Sequence, residues 1–374
     1  MLRQKRFFLI LLSLFSVITL SGCFPTGEIS TPSDEKPEDV ESAIMQINSE
    51  NENLIIDVDF PENVPEKVEK LKVRWKSWDS EQLDELFVRG VDGLELIQDE
   101  KNEDGSLDWR WYLSEAGNSV TYGSLGRLWV EAGEPYKSYN YFALSEGAWA
   151  TTPLEDYFTE DSISLFARGD ALEKAKKTLS DAGINNLGET LVYALIAGKA
   201  NAYLNEKYKG LVDKENNPMV IPTWTAEYEA YVFEFGQEFN GVPLSRYSVP
   251  GALSGTADDS EATYITMVVG KDVNPLIWCE GIIDEDYEVV GEAAVNISPQ
   301  SALKTVAERY AGLAIPNQIT KIVGCRLVYA PSEQAEDGSF ILNPFWEFDI
   351  RYDRGRELET VSATYINAQT GMGV

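Results

Sequence analysis

The chain of 374 residues has no histidine. That absence removes Ser-His-Asp and Cys-His nucleophile systems, the H-E-x-x-H zinc hydrolases and nearly all imidazole acid–base chemistry. Cysteine is scarce as well, limited to Cys23, Cys279 and Cys325. Without imidazole, and with thiols so far apart, zinc lacks its preferred ligands, so neither a metal nor a cofactor is expected. The glycine-rich phosphate loops G-x-x-x-x-G-K-[ST] and G-x-G-x-x-G and the G-x-S-x-G elbow are missing, which leaves nucleotide and α/β-hydrolase chemistry without a foothold. Beyond residue 20 no stretch is apolar for the roughly twenty residues that a membrane-spanning helix needs. The nearest, TLVYALIAGKANAYL, is interrupted by Lys199 and Asn201.

Cations are outnumbered two to one, 31 Lys and Arg against 62 Asp and Glu, for a formal charge of −31. Such a surface repels phosphate backbones, so nucleic acid is excluded as a partner. Three of the cations, Arg3, Lys5 and Arg6, precede the apolar run FFLILLSLFSVITL. Positive residues followed by an apolar run too short to span a bilayer have the form of a targeting segment, assigned here to residues 1–22. The run closes on Leu20-Ser21-Gly22-Cys23, which resembles the lipobox of bacterial lipoproteins. The resemblance implies a diacylglyceryl thioether on Cys23, anchoring the mature chain on the extracytoplasmic face of the cell membrane; an ordinary cleaved signal or an uncleaved anchor are the alternatives. Two acyl chains, at about 0.8 kcal/mol per buried methylene, hold a protein stably on a bilayer. Cys279 and Cys325 then remain, either as a disulfide or as two buried thiols.

A hydrophobic content of 44% with 11% aromatics is that of a folded chain, and the length allows two or three domains. Residues 23–42, rich in Pro, Ser, Thr and acids, read as a flexible tether. Residues 43–150 read as an N-terminal α+β domain. Strands are expected at LIIDVDF and KLKVRW, a helix at DSEQLDELFVRG, and a hairpin in LELIQDEKNEDGSLDWRWYL with Asp104-Gly105 at its tip. Residues 151–297 form a middle α+β domain. Its first helix is GDALEKAKKTLSDAGI, with Asp170 as N-cap and Gly183 past the end, and a second is LGETLVYALIAGKANAYLNEKY; strands follow at EYEAYVFEFGQEF, ATYITMVVG and PLIWCEGII. In residues 298–374, Ser298 caps a helix with Pro299 first and Leu303, Val306, Ala307, Tyr310 and Leu313 on one face. Three strands close the chain, at KIVGCRLVYAP, FILNPFWEFDIRY and TVSATYINAQTG. The fold class is therefore α+β and multi-domain, with antiparallel sheets and packed helices. The tetrapeptide Ala-Thr-Tyr-Ile at Ala262–Ile265 and Ala363–Ile366, in regions of matching element order, raises the question of a tandem helix–strand–strand duplication.

Ser298-Pro299 opening a helix, then LVYAP (Leu327–Pro331), NPFWEFDI (with Pro344–Phe348) and YINAQTG (Tyr365–Gly371) is similar to the closing segment of YycH/YycI-type two-component regulatory proteins. It is also similar to PepSY-like modules and to uncharacterised lipoproteins of Gram-positive bacteria. The resemblance implies a non-catalytic extracytoplasmic module that touches another envelope protein, in some relatives the sensor domain of a histidine kinase. Those regulators carry an N-terminal transmembrane helix, whereas this chain carries the lipobox-like segment.

Two stretches bear on ligands. In EKNEDGSLDW, Glu100, Asn102, Asp104 and Gly105 match the opening of an EF-hand loop, but Trp111 stands where a bidentate Glu is required, so the hairpin reading is taken. In DWRWYL, Trp109 and Trp111 share a face of the strand. They either pack against the preceding helix, which the large area of an indole favours, or form a platform that stacks on sugar rings. Paired carboxylates leave a glycosidase as a remote alternative, although no pair can be chosen among 62 acids. No catalytic residue is assigned. The expected function is that of a lipid-anchored binding protein, not an enzyme, with an envelope protein as partner and a glycan or small ligand as the alternative.

Overall fold

The computed structural model describes residues 37–103, 105–131, 158, 162–210, 212, 216–218, 223–246, 263–271, 275–313, 318–335, 337–353 and 360–373. Residues 1–22, expected to be a targeting segment, Cys23, Asp104 and Ala262 lie outside them. Two sheets, each with its own helices and core, make up an α+β architecture in which, among the described residues, all pairs of named strands but one are antiparallel.

The first sheet has six strands. They are β1 (Leu54–Ile56), β2 (Lys67–Val73), β12 (Glu288–Ala294), β13 (Ile319–Gln334), β14 (Phe340–Asp353) and β15 (Thr360–Asn367), in the order β1-β13-β14-β2-β12 with β15 also on β14. The strand β1 runs parallel to β13, with Leu54 opposite Thr320. Helices α1 (Pro37–Glu50) and α5 (Pro299–Ala311) pack on one face of this sheet. Helical structure thus begins at Pro37, inside the stretch read as tether, where Val40, Ile44 and Ile47 recur at helical spacing and meet the core. The α5 cap is as expected: the Ser301 amide donates to Ser298 Oγ at 3.1 Å and Pro299 opens the helix. Leu313 falls past the helix end and is exposed. Alternation along β14 sends Trp346, Phe348 and Ile350 beneath the helices and Phe345 to the opposite face with Val328, Ala330 and Tyr365. The Trp346 indole donates to Ile297 O at 2.8 Å, which ties the start of α5 to the sheet. After β15, Asn367 Oδ1 accepts from the Gln369 and Thr370 amides, and Gly371 takes φ +75°.

The second sheet has nine strands. They are β3 (Glu95–Lys101), β4 (Leu107–Leu113), β5 (Ser119–Gly123), β6 (Arg127–Glu131), β7 (Leu187–Leu195), β8 (Ala230–Phe239), β9 (Val242–Pro243), β10 (Tyr264–Gly270) and β11 (Leu276–Glu280). Their order is β3-β4-β5-β6-β11-β10-β8-β7, with β9 on β8. One face meets α2 (Ser80–Leu83), the π-helical turn that continues it over Asp84–Val88, and α3 (Arg168–Asp181). The other meets α4 (Ala197–Lys207).

Several local expectations change. The stretch LGETLVYAL is strand β7, not helix, and only α4 after it is helical. Its β-branched and aromatic residues suit a strand, and pairing along β8 from Leu187↔Gln237 to Leu195↔Ala230 decides the matter. The N-cap of α3 is Ala167; Asp170 instead sits in the first turn, where its charge suits the helix dipole. Neither sheet follows the divisions at 150/151 and 297/298: β2 pairs with β12 and β14, and β6 pairs with β11. The two sheets share a core in which Phe239, Val242, Leu244 and Ile283 meet Leu71, Val73, Tyr329 and Phe340.

Candidate functional site

The hairpin containing Trp109 and Trp111 forms as expected, with Gly105 at φ +85° near its tip. Its packing is the reverse of the expectation. The helix before it receives Tyr112 and Tyr122, the alternate residues, whose hydroxyls donate to the two oxygens of Asp84 at 2.8 and 2.6 Å. Arg110 lies on that side too and forms a two-point pair with Asp99 at 2.9 and 3.1 Å, which holds the Asp99 carboxyl below its ordinary range. Burial first, and then the bond to Asp84, pushes the Tyr122 phenol well up.

Trp109 and Trp111 therefore face the other way, onto a surface the meander assembles from four strands. Register places Trp111, Thr121, Trp129 and Trp278 side by side across β4, β5, β6 and β11. The neighbouring row is Trp109, Gly123, Arg127 and Glu280, with Tyr264 of β10 opposite Glu280. Gly123 is required: a Cβ there would stand 2.2 Å from the Asp108 carbonyl oxygen. Across the bare Gly123 strand the rings of Trp109 and Trp129 meet edge to face, with centroids 5.6 Å apart at 84°. The Trp111 indole donates to Ser119 Oγ at 3.2 Å, whereas Trp129 Nε1 is buried without an acceptor. Arg127 Nε donates to Glu280 Oε2 at 2.8 Å, which leaves a half-buried guanidinium between the indoles and the carboxylate.

This face offers flat apolar rings beside a hydrogen-bonding ion pair. It can stack on and orient a ligand or hold a partner's side chains. Proton transfer has less footing. Burial raises the Glu131 carboxyl, against the bond from Trp278, while Glu280 is held by Arg127. A glycosidase needs two carboxyl groups acting as a couple, and these two are drawn to different partners.

Cys279 and Cys325 are free thiols, Cys279 in the core of the nine-stranded sheet and Cys325 in β13 of the other, so the disulfide is not formed. Each strand places its cysteine in its own sheet, which local spacing could not reveal. Burial pushes the Cys325 thiol up to about 12 and Cys279 higher still. Among the described residues no group of three or more Cys, Asp or Glu is placed to hold a metal ion, and no helix is long and apolar enough to cross a membrane. The sequence reading passed over Trp129, Arg127, Glu280 and Trp278. The period-two spacing of Arg127, Trp129 and Glu131 marks one face of a strand, but which face of which sheet it joins is a matter of long-range pairing.

No known family model matches the chain, and no curated protein matches it. Among solved structures it is similar to an uncharacterized protein from Eubacterium rectale ATCC 33656, with 16% identity, a TM-score of 0.59, and coverage of 89% of this chain and 98% of that one. At that identity the likeness is one of fold.

Proposed function

We propose that the protein is a lipid-anchored, extracytoplasmic binding protein without catalytic activity, attached through Cys23 and contacting another envelope protein. The observation that carries the reading is the tryptophan face of the nine-stranded sheet. Tryptophan, tyrosine and arginine are the residues that dominate protein interfaces, and here they cluster around the Arg127–Glu280 ion pair. The histidine-free composition and the resemblance of α5 with β13–β15 to PepSY-like and YycH/YycI-type modules support a regulatory contact over a reaction. In this reading Thr263–Ile265, running into β10, and Ala363–Ile366 in β15 are remnants of a duplicated unit.

The full chain in its native membranes, carrying a photo-crosslinking residue in place of Trp111, tests it. A discrete adduct with one membrane protein, lost in Trp109→Ala, is the expected result. Turnover of a cell-wall substrate with no adduct overturns it. Cys23→Ala is expected to release the chain from membranes; retention as a lipid-free species refutes the anchor. The exposed sides of the indoles favour one second reading, a glycan or small ligand stacked on Trp109 and Trp111. Glycan-array binding abolished by Trp109→Ala would select it.

A further inference from the structure

On this acidic chain, five cations stand close together along one strand. Lys67, Lys70, Lys72, Arg74 and Lys76 fall within ten residues in and just after β2. Alternation buries Leu71 and Val73 in the core and turns Lys70, Lys72 and Arg74 to the opposite face. There Lys72 and Arg74 border an open cleft of about 280 Å³ that Val73, Asp286, Tyr287, Glu288 and Ser339 also line. That volume is just below the roughly 300–1,000 Å³ of drug-sized sites, so the cleft suits a small ligand.

The two cations already show what they accept. The carboxylate of Asp337, at the tip of the β13–β14 hairpin, meets Lys72 Nζ at 3.2 Å and Arg74 Nη2 at 2.8 Å, while Arg74 Nη1 donates to the Asp337 carbonyl at 3.0 Å. An ammonium has three donors and a guanidinium five, so both retain donors for a second carboxylate. On the other wall Glu288 is the register partner of Lys72. Asp286 and Glu288 are both exposed. Between them Tyr287 is held in place, its hydroxyl donating to Asn240 Oδ1 at 2.8 Å and its ring edge to face with Phe239 at 5.7 Å.

We propose that this cleft binds a small zwitterion, an α-amino acid or a dipeptide with free termini, its carboxylate on Lys72 and Arg74 and its ammonium against Asp286 and Glu288. A simple anion meets the repulsion of the net acidic surface and of those two carboxylates, and a simple cation meets Lys72 and Arg74. A ligand with both charges satisfies both walls. The site lies on the six-stranded sheet and is separate from the tryptophan face.

Calorimetric titration of the detergent-solubilised full chain tests this with L-alanine, Ala-Ala, N-acetyl-Ala-Ala and Ala-Ala-amide. Ala-Ala or L-alanine is expected to bind, with either cap weakening the dipeptide at least tenfold. Lys72→Met and Glu288→Gln are expected to weaken it similarly with no change in the urea midpoint. Asp337→Asn, which removes the competing carboxylate, is expected to tighten it, and Trp109→Ala to leave it unchanged. No binding of either uncapped probe, or equal binding of capped and uncapped dipeptides, overturns the proposal.

Discussion

Gln237 is the test of what joins the two sheets. It lies in β8, is 2% exposed, and treats the backbone of Ile283 as a neighbouring strand would: Oε1 accepts from the Ile283 amide at 2.8 Å and Nε2 donates to the Ile283 carbonyl at 2.9 Å. Ile283 in turn bridges to Trp75, just beyond β2 of the other sheet. Gln237→Leu keeps most of the volume and removes both bonds, together with the one that Nε2 donates to Asn186 Oδ1 at 2.9 Å. Each buried backbone group left unmade costs about 1–3 kcal/mol, so the pair costs about 2–6 kcal/mol. The assay is urea denaturation combined with hydrogen exchange at the Ile283 amide, which reads the local opening directly. Gln237→Glu sharpens the result. A protonated Glu can replace both bonds, whereas an ionised one aims negative charge at the Ile283 carbonyl, so this variant should regain stability as pH falls. A loss below about 1 kcal/mol in Gln237→Leu, with Ile283 protection unchanged, would refute the reasoning.

Three further outcomes are expected. Gly126 has φ +65° and a Cβ there would lie 2.2 Å from the Ile282 carbonyl oxygen, whereas Gly105 at φ +85° has nothing within 4 Å. Gly105→Ala should therefore cost only the left-handed backbone penalty of about 1–2 kcal/mol and Gly126→Ala distinctly more; equal urea midpoints would contradict this. Burial raises the Glu347 carboxyl, with Arg326 opposing and Asp349 adding to the rise. The native state then keeps that proton to higher pH than the unfolded chain does, so the group's contribution to stability declines as pH rises from the unfolded value through the folded one. Glu347→Gln should gain stability relative to the parent over that window, and a pH-independent difference between them would dismiss the assignment. Cys279 and Cys325 should resist a thiol reagent at pH 8 until urea unfolds the chain, and prompt labelling of either in the native state would contradict their raised pKa values.

How much of this was legible follows from the range of the interactions. The helix at Ser298 was readable because a cap, a proline and an apolar stripe are all local. So was β14, whose period-two pattern assigns Trp346 and Phe345 to opposite faces. The stretch of β7 was misread because an apolar run with helix formers on both sides satisfies either pattern, and only its pairing with β8 separates them. Trp109 and Trp111 were correctly placed on one face, but their covering helix was not, since which face α2 occupies depends on Asp84 reaching Tyr112 and Tyr122.

The sequence by itself determined the chemistry that is ruled out with the loss of histidine, the acidic surface, most of the strands and the α5 cap, because composition and short-range periodicity carry those properties. Tertiary structure alone decided that β2 joins β12 and β14, that Cys279 and Cys325 belong to different sheets, and that four indoles converge on one face. It also placed Asp286 and Glu288 across from Lys72 and Arg74, more than two hundred residues away in the chain. Strand pairing is set by hydrogen bonds and packing between segments remote in sequence, and no local pattern names the partner.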